Sequence, residues 1–381
     1  MNVMVGLLVI FLAGITAIVW FVLRSRNLHI WIVPYLASQV RKLFRPGVKK
    51  KKVYFCFVDH YEPYILNDDD DLARRRVQRW CESYPPIADR HADSSGRRPV
   101  HSFFYPEEEY KDYHLYPLAE LCKAGYGDVE IHLHHDNDTA DGLKAKINSF
   151  KDILFPRHGL LRRDPETGEI IYAFIHGNWA LDNSRPDGRW CGVDNEIEVL
   201  VDTGCYMDMT MPSAPSDTQT SKINSIYWAR GRPGKRKSHN RGRDVTVGEW
   251  GKPGELLLLQ GPLTLNWRNR KWMVMPKIES AEISYDSPPS EHRVELWESA
   301  GVTVKGCNDH LFIKVHTHGA LDKNADMLFG GGFETLWSAL ERRFRDREGY
   351  ELYYVTAWEM YQKVKELAVG DQPPRHPGVV R

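Results

Sequence analysis

Residues 129–138 read Val-Glu-Ile-His-Leu-His-His-Asp-Asn-Asp. Side chains alternate along a strand, so Val129, Ile131 and Leu133 share one face while Glu130, His132 and His134 share the other. The apolar face suits a covering layer of helices. The polar face puts an acid and two imidazoles in an interior, where an unpaired polar group costs on the order of 2–7 kcal/mol. Such a row calls for a metal ion or a closed hydrogen-bond network. Two other apolar runs end in the same way. Val53-Tyr-Phe-Cys-Phe-Val58 leads into Asp59-His-Tyr-Glu-Pro63, and Ile313-Lys-Val-His-Thr-His-Gly319 carries two histidines at alternate positions. The first of these has the continuous apolar character of a buried parallel strand.

Outward from these stretches the chain alternates strand and helix. Strands are expected at 53–58, 100–105, 129–134, 170–175, 205–209, 255–260, 311–316 and 350–356, and helices at 116–124, 195–203, 333–345 and 357–367. That alternation is the pattern of a parallel α/β sheet or barrel. The chain has 381 residues, 42% hydrophobic and 12% aromatic, which is enough for one large core and fits a single α/β barrel. The segment 230–252 opens with Arg-Gly-Arg-Pro-Gly-Lys-Arg-Lys-Ser-His and reads as a long basic loop. It is either a solvated excursion or a contact for phosphate on a lipid-linked or nucleotide-linked glycan. No internal repeat or heptad pattern is present.

Basic and acidic residues balance at 51 each, which disfavours nucleic acid as a partner. Cys56, Cys81, Cys122, Cys191, Cys205 and Cys307 are widely spaced, form no CxxC pair and read as free thiols. Residues 3–23 hold no charge and are long enough to span a bilayer as a helix. A secretory signal is the competing reading, but no basic segment precedes the run, and the run is long for one. Arg24, Arg26, Arg41, Lys42, Arg45 and Lys49 to Lys52 follow it. The positive-inside rule then predicts a single-pass inner (plasma) membrane protein with its main domain in the cytoplasm. Between these charges, Trp31 and Tyr35 belong to a segment expected to lie along the membrane surface, its aromatic rings at the headgroups. The expected organisation is an anchor at 1–24, a basic juxtamembrane segment at 25–52, one domain at 53–367 containing the loop at 230–252, and a tail at 368–381.

Taken in order, these motifs resemble the polysaccharide deacetylase superfamily, the NodB-homology domain of carbohydrate esterase family 4. Members begin with a strand ending in two acidic residues, continue with Glu-Ile-x-x-His-x-x-x-His, and later show a Leu-x-His strand. Here Glu130-Ile131-His132-Leu133-His134 matches the second motif, with Asp138 at the place of its second histidine. The stretches Phe174-Ile-His-Gly-Asn-Trp179, 195–204 and Cys205-Tyr-Met-Asp-Met-Thr-Met-Pro212 resemble the family's middle motifs, so the likeness spans about residues 53–320.

The resemblance implies a distorted (β/α) barrel with its site at the C-terminal strand ends. It implies one divalent ion, zinc or a similar transition metal, held by His60, His134 and Asp138. His60 replaces the family's second Asp and Asp138 its second His, and both remain suitable donors. Asp59 would be the general base, His316 the general acid with His318 its alternate, and Asp208 an orienting group. The family's Arg has no counterpart, so His176 or Asn178 would stand in for it. Trp179 and Tyr206 would stack on sugar rings. The implied activity is removal of an N-acyl group from an amino sugar in a polysaccharide or lipid-linked glycan. Family members often work outside the cytoplasm, which keeps the extracytoplasmic side open. A non-catalytic glycan-binding protein, favoured by the missing Arg, and a metal phosphoesterase, favoured by the basic loop, are the rival readings.

Overall fold

The computed structural model describes residues 2–44, 47–232, 234–271 and 273–370. Arg45, Pro233 of the basic loop and residues 371–381 of the expected tail lie outside them.

β1 (Lys51–His60) is apolar on both faces because it is buried on both. Of the later strands, β12 (His310–Thr317) pairs with its whole length on one side. On the other side β13 (Tyr350–Tyr354) pairs with its start and β2 (His101–Pro106) with its end, all in parallel. Beyond β2 the sheet continues through β3 (Gly127–Leu133), β5 (Ile170–His176), β6 (Cys205–Asp208) and β9 (Glu255–Leu259). It finishes on antiparallel β7 (Ile226–Arg230) and β8 (Arg243–Asp244), while β4 (Arg162–Arg163) pairs with β5. The fold is therefore α/β around a mainly parallel sheet.

Among the described residues the hydrogen-bonded order is open, from β12 to β8, without the closed ladder of the expected barrel. The sheet nevertheless curls strongly. Lys314 Nζ of β12 donates to the carbonyls of Met209 and Met211 just past β6, at 2.7 and 2.8 Å. Five strand spacings separate β12 from β6 in the order. In a flat sheet that is about 24 Å, far beyond the reach of a lysine.

Curling divides the side chains into two sets. Val53, Phe55, Phe57, Val129, Ile131 and Leu133 point outward to a layer of helices. That layer contains α3 (Asp70–Ala88), α4 (Asp112–Lys123), α5 (Ala140–His158), α6 (Glu196–Asp202), α7 (Glu291–Ala300), α8 (Asp322–Met327) and α9 (Phe333–Leu340). Tyr54, Cys56, Val58, Phe104, Ala173, Ile175 and Phe312 point inward. Met360, Val364 and Ala368 of α10 (Ala357–Val369) close this inner set near the start of β2, where Ala357 N donates to Ser102 Oγ at 2.8 Å. The opposite end, where the parallel strands finish, is left to polar residues.

At the N-terminus, α1 (Asn2–Ser25) contains one stretch, Met4–Ser25, long and apolar enough to cross a membrane. The next helix, α2 (Ile32–Leu43), departs from the expected arrangement. Trp31, just before it, and Tyr35 are buried against Leu263 and Leu265 at the hairpin of β10 (Thr264–Lys271) and β11 (Met275–Glu279). Tyr35 Oη lies 3.2 Å from Thr264 Oγ1. The aromatic rings thus face the domain, and Val33, Leu36 and Val40 occupy the exposed face. The basic loop is tied down as well. Ser238 N donates to Asp182, Arg243 pairs with Glu249 and Glu255, and Arg236 lies 3.4 Å from Asp194.

Candidate functional site

The ends of β1, β2, β3 and β12 bring five histidines and two glutamates together. His60, the last residue of β1, is on the inward parity, and its ring centroid lies 5.1 Å from His132, 4.8 Å from His318, 5.7 Å from His316 and 6.0 Å from Trp179. Glu62 follows two residues later. Its Oε1 is 3.1 Å from His132 Nε2 and 3.6 Å from His134 Nε2. His134 Nδ1 in turn meets Glu108 Oε1 at 2.5 Å.

His132 Nδ1 donates to the Ile175 carbonyl at 2.8 Å, which fixes the ring. Its other nitrogen then faces a carboxylate as one acceptor facing another, unless a proton or a cation lies between. Donor atoms of His60, Glu62 and His132 lie within 4.8 Å of one another, and all three side chains are buried. Burial, followed by the neighbouring His318, His132 and His316, pushes the His60 imidazole well below its ordinary range. Burial and then Lys314 do the same to His316, whose Nδ1 has no hydrogen-bond partner. Burial alone would raise the Glu62 carboxyl, but the His132 hydrogen bond and the fields of His132, His318 and His134 bring it down to about 2. Imidazoles around a carboxylate are the donor set a divalent transition metal takes. The residues present therefore fit such an ion.

His134 differs from its neighbours. Burial opposes its charge, but the Glu108 hydrogen bond and the charges of Glu62, Glu108 and Glu109 raise its pKa. His134, His318 and Trp179 are only partly buried, and they form the opening of the cluster. A separate cavity of about 630 Å³ lies against α2, lined in part by Arg41, Lys222, Asp244 and Lys305, and has no part in this chemistry.

Of the residues read from the sequence, the structure brings together His60, His134, His316, His318 and Trp179, with Asn178 beside Trp179 in the chain. It adds Glu62, His132 and Glu108. Asp59 lies on the other parity of β1. Oδ1 accepts Gly319 N at 2.6 Å and Oδ2 is 3.0 Å from His101 Nε2, among Trp80, Tyr84 and Phe103 of the outer layer. Asp138 accepts from Lys146 Nζ at 2.8 Å and sits beside His135. His176 is buried with His135, their ring centroids 4.7 Å apart. Tyr206 gives its hydroxyl to Glu130 at 2.6 Å and packs on Trp358 and Tyr361. Asp208 accepts from Thr210 N and Oγ1, and burial lifts its carboxyl to about 7.

No family model matches the chain, and no curated protein matches its sequence. Its fold is similar to that of a protein assigned as a polysaccharide deacetylase. That crystal structure, from Mycobacterium smegmatis, is 11% identical, with 88% of this chain and 97% of that chain covered and a TM-score of 0.43. An alpha-mannosidase structure from Enterococcus faecalis V583 is 12% identical, with a TM-score of 0.40, and 83% of this chain covers 29% of that one.

Proposed function

We propose that this chain is a metal-dependent hydrolase of the polysaccharide deacetylase type, cleaving the N-acyl amide of an amino sugar in a glycan near a membrane. The single observation that carries the reading is the buried His60, Glu62 and His132 donor set, ringed by His134, His316 and His318 at the strand ends.

These three residues would hold the ion, which when bound would polarise the amide carbonyl and acidify water. His134, oriented through Nδ1 by Glu108, presents Nε2 toward Glu62 and the opening. There it takes a proton from water as the carbon–oxygen bond forms. The same proton, or one held by His318 across the cluster, goes to the sugar nitrogen as the carbon–nitrogen bond breaks. The products are a free amine and a carboxylic acid, which gives its proton to solvent. Trp179, on the rim 6.0 Å from the His60 and His318 rings, offers a flat apolar wall for a sugar ring.

Helix α1 would anchor the domain, and the basic residues after it put that domain on the cytoplasmic face. A reporter fused after Arg381 that is active only on the outer side would reverse this orientation.

The activity test uses the full chain in detergent micelles. Acetate release from N-acetylated amino-sugar oligomers should require added zinc or cobalt, stop with chelator and vanish in His132→Ala. Turnover of phosphate esters with no acetate release would replace this reading with the phosphoesterase. Oligomer binding without turnover, at full metal loading, would replace it with the glycan-binding protein.

A further inference from the structure

A second cluster lies behind the first, made of His135, His176, Cys191 and Glu196, and all four are buried. They come from four places: the loop after β3, the end of β5, the irregular segment beyond it, and the first residue of α6. Glu196 Oε1 is 3.1 Å from His135 Nε2 and 3.4 Å from His176 Nε2, and Glu196 Oε2 is 3.4 Å from Cys191 Sγ. All four donor atoms lie within 4.8 Å of one another. A tetrahedral zinc with bonds of 2.0–2.3 Å sets its donors about 3.3–3.8 Å apart, close to these separations.

The hydrogen bonding behind the donors has the form that metal-binding side chains require. His176 Nδ1 donates to the Gly177 carbonyl at 2.5 Å, so its Nε2 is bare. That nitrogen has no hydrogen-bond partner and faces a carboxylate. His135 differs, with Nε2 3.1 Å from Glu196 Oε1 and Nδ1 3.3 Å from Asp138 Oδ2 but without a hydrogen-bond partner. A ligating histidine gives its other nitrogen to a carbonyl or a carboxylate, as His176 does to Gly177. Cys191 Sγ accepts the Val193 backbone N–H at 3.5 Å, and Glu196 Oε2 accepts that of Asp182. Burial holds the His176 imidazole down at about 3, which keeps it neutral, and burial beside Glu196 raises the Cys191 thiol, which a bound cation would deprotonate.

The structure assigns these four residues as a closed, structural divalent-cation site, distinct from the His60 centre. With four protein donors and no exposed edge, it leaves no position for substrate. Its position explains what it is for. The segment it ties down holds Asn178, Trp179, Asp182, Asn183 and Trp190 in the left-handed backbone region, which five non-glycine residues do not adopt unaided. The cation links that segment to the loop carrying His134 and so fixes Trp179 and His134 on two sides of the opening. Asp138 Oδ2 lies 3.3 Å from His135 Nδ1, behind a ligand of this site.

The test is metal analysis and cobalt spectroscopy on the full chain in detergent. Zinc-loaded protein dialysed against a weak chelator should hold two equivalents, falling to one in Cys191→Ser and, separately, to one in His132→Ala. Cobalt-loaded parent protein should show a thiolate-to-cobalt charge-transfer band, because the His60 centre offers no sulfur. That band should persist in His132→Ala and disappear in Cys191→Ser. If Cys191→Ser fails to fold, the parent spectrum decides alone. A cobalt-loaded parent without the band, or Cys191→Ser with the parent's metal content, overturns the assignment. If His132→Ala changes neither metal content nor activity, the His60 centre falls, while the thiolate band still decides this site.

Discussion

Glu108 Oε1 lies 2.5 Å from His134 Nδ1, which locks the one partly exposed ring of the β3 end in place and leaves Nε2 toward Glu62. Glu108 is a positioning residue, since it reaches the reacting atoms only through His134. Glu108→Gln keeps an acceptor but removes the charge that supports the imidazolium. We expect a kcat loss of about tenfold with KM and metal content unchanged. Parent kcat in a fully metallated Glu108→Gln would show that His134 carries no proton in the rate-limiting step.

The ligand set is tested by comparing His132→Ala with His134→Ala. Removing one of three donors should lower metal affinity by orders of magnitude. His132→Ala and Glu62→Gln should therefore emerge from dialysis without the metal of this centre, while His134→Ala keeps it and loses turnover. The opposite pattern, metal lost in His134→Ala and kept in His132→Ala, would restore the set His60, His134 and Asp138 implied by the family motif.

Much of this site was legible in three strand ends, and the rest was hidden for identifiable reasons. On β3 the contrast between Val129, Ile131 and Leu133 and the polar residues between them showed which side faces in. On β1 both Phe55 and Cys56, and both Phe57 and Val58, are buried, so a run apolar on both faces carries no sign of parity. That is why Asp59, rather than Glu62 two residues beyond His60, read as the general base. His135, His176, Cys191 and Glu196 come from separate segments, and no local spacing announces them. The helix α5, with Pro156 in its last turn, and the β10–β11 hairpin also went unread, because neither has a sharp apolar period.

Lys314 should matter for stability. Its ammonium caps the carbonyls of Met209 and Met211, and these contacts join β12 to the far side of the curled sheet. Lys314→Met keeps the volume, takes the ammonium donor from the Met209 carbonyl and leaves the Met211 carbonyl with only the Gly261 N–H, at a cost of about 2–4 kcal/mol. Urea unfolding of the full chain in detergent measures it. A midpoint within experimental error of the parent's would mean that the sheet is closed by other contacts.

Glu109 supplies a pH-dependent effect. Burial first, then Glu62 and Glu108, lifts its carboxyl from 4.5 to about 7, against a hydrogen bond from Tyr64 N at 2.8 Å. Because the folded-state pKa is raised, the folded protein binds more protons than the unfolded chain between pH 4.5 and 7, and stability falls as pH rises through that window. Glu109→Gln still accepts from Tyr64 N and never ionises. It should be close to neutral below pH 4.5 and stabilising by about 1–2 kcal/mol at pH 8. Equal effects at both ends of the window would show that Glu109 is not held protonated by the fold.

Asp59 distinguishes a base from a strut. Oδ1 accepts the Gly319 N–H and Oδ2 meets His101 Nε2, and a Cβ on Gly319 would sit 2.1 Å from Oδ2. The carboxylate therefore pins the turn that carries His318, from the side of the sheet facing the outer helices. Asp59→Asn can keep both contacts, its amide oxygen accepting from Gly319 N and its NH2 donating to His101 Nε2 once that ring moves its proton to the unpartnered Nδ1. We expect it to keep metal and at least a third of the parent kcat. Asp59→Ala loses both contacts and leaves the Gly319 N–H buried without an acceptor, so it should cost about 2–4 kcal/mol of stability and lower kcat through a misplaced His318. A general base behaves differently, with Asp59→Asn losing on the order of 10²-fold in kcat at unchanged stability. That result would place Asp59 in the chemistry, as the family motif implies, and would require the end of β1 to turn its parity when substrate binds.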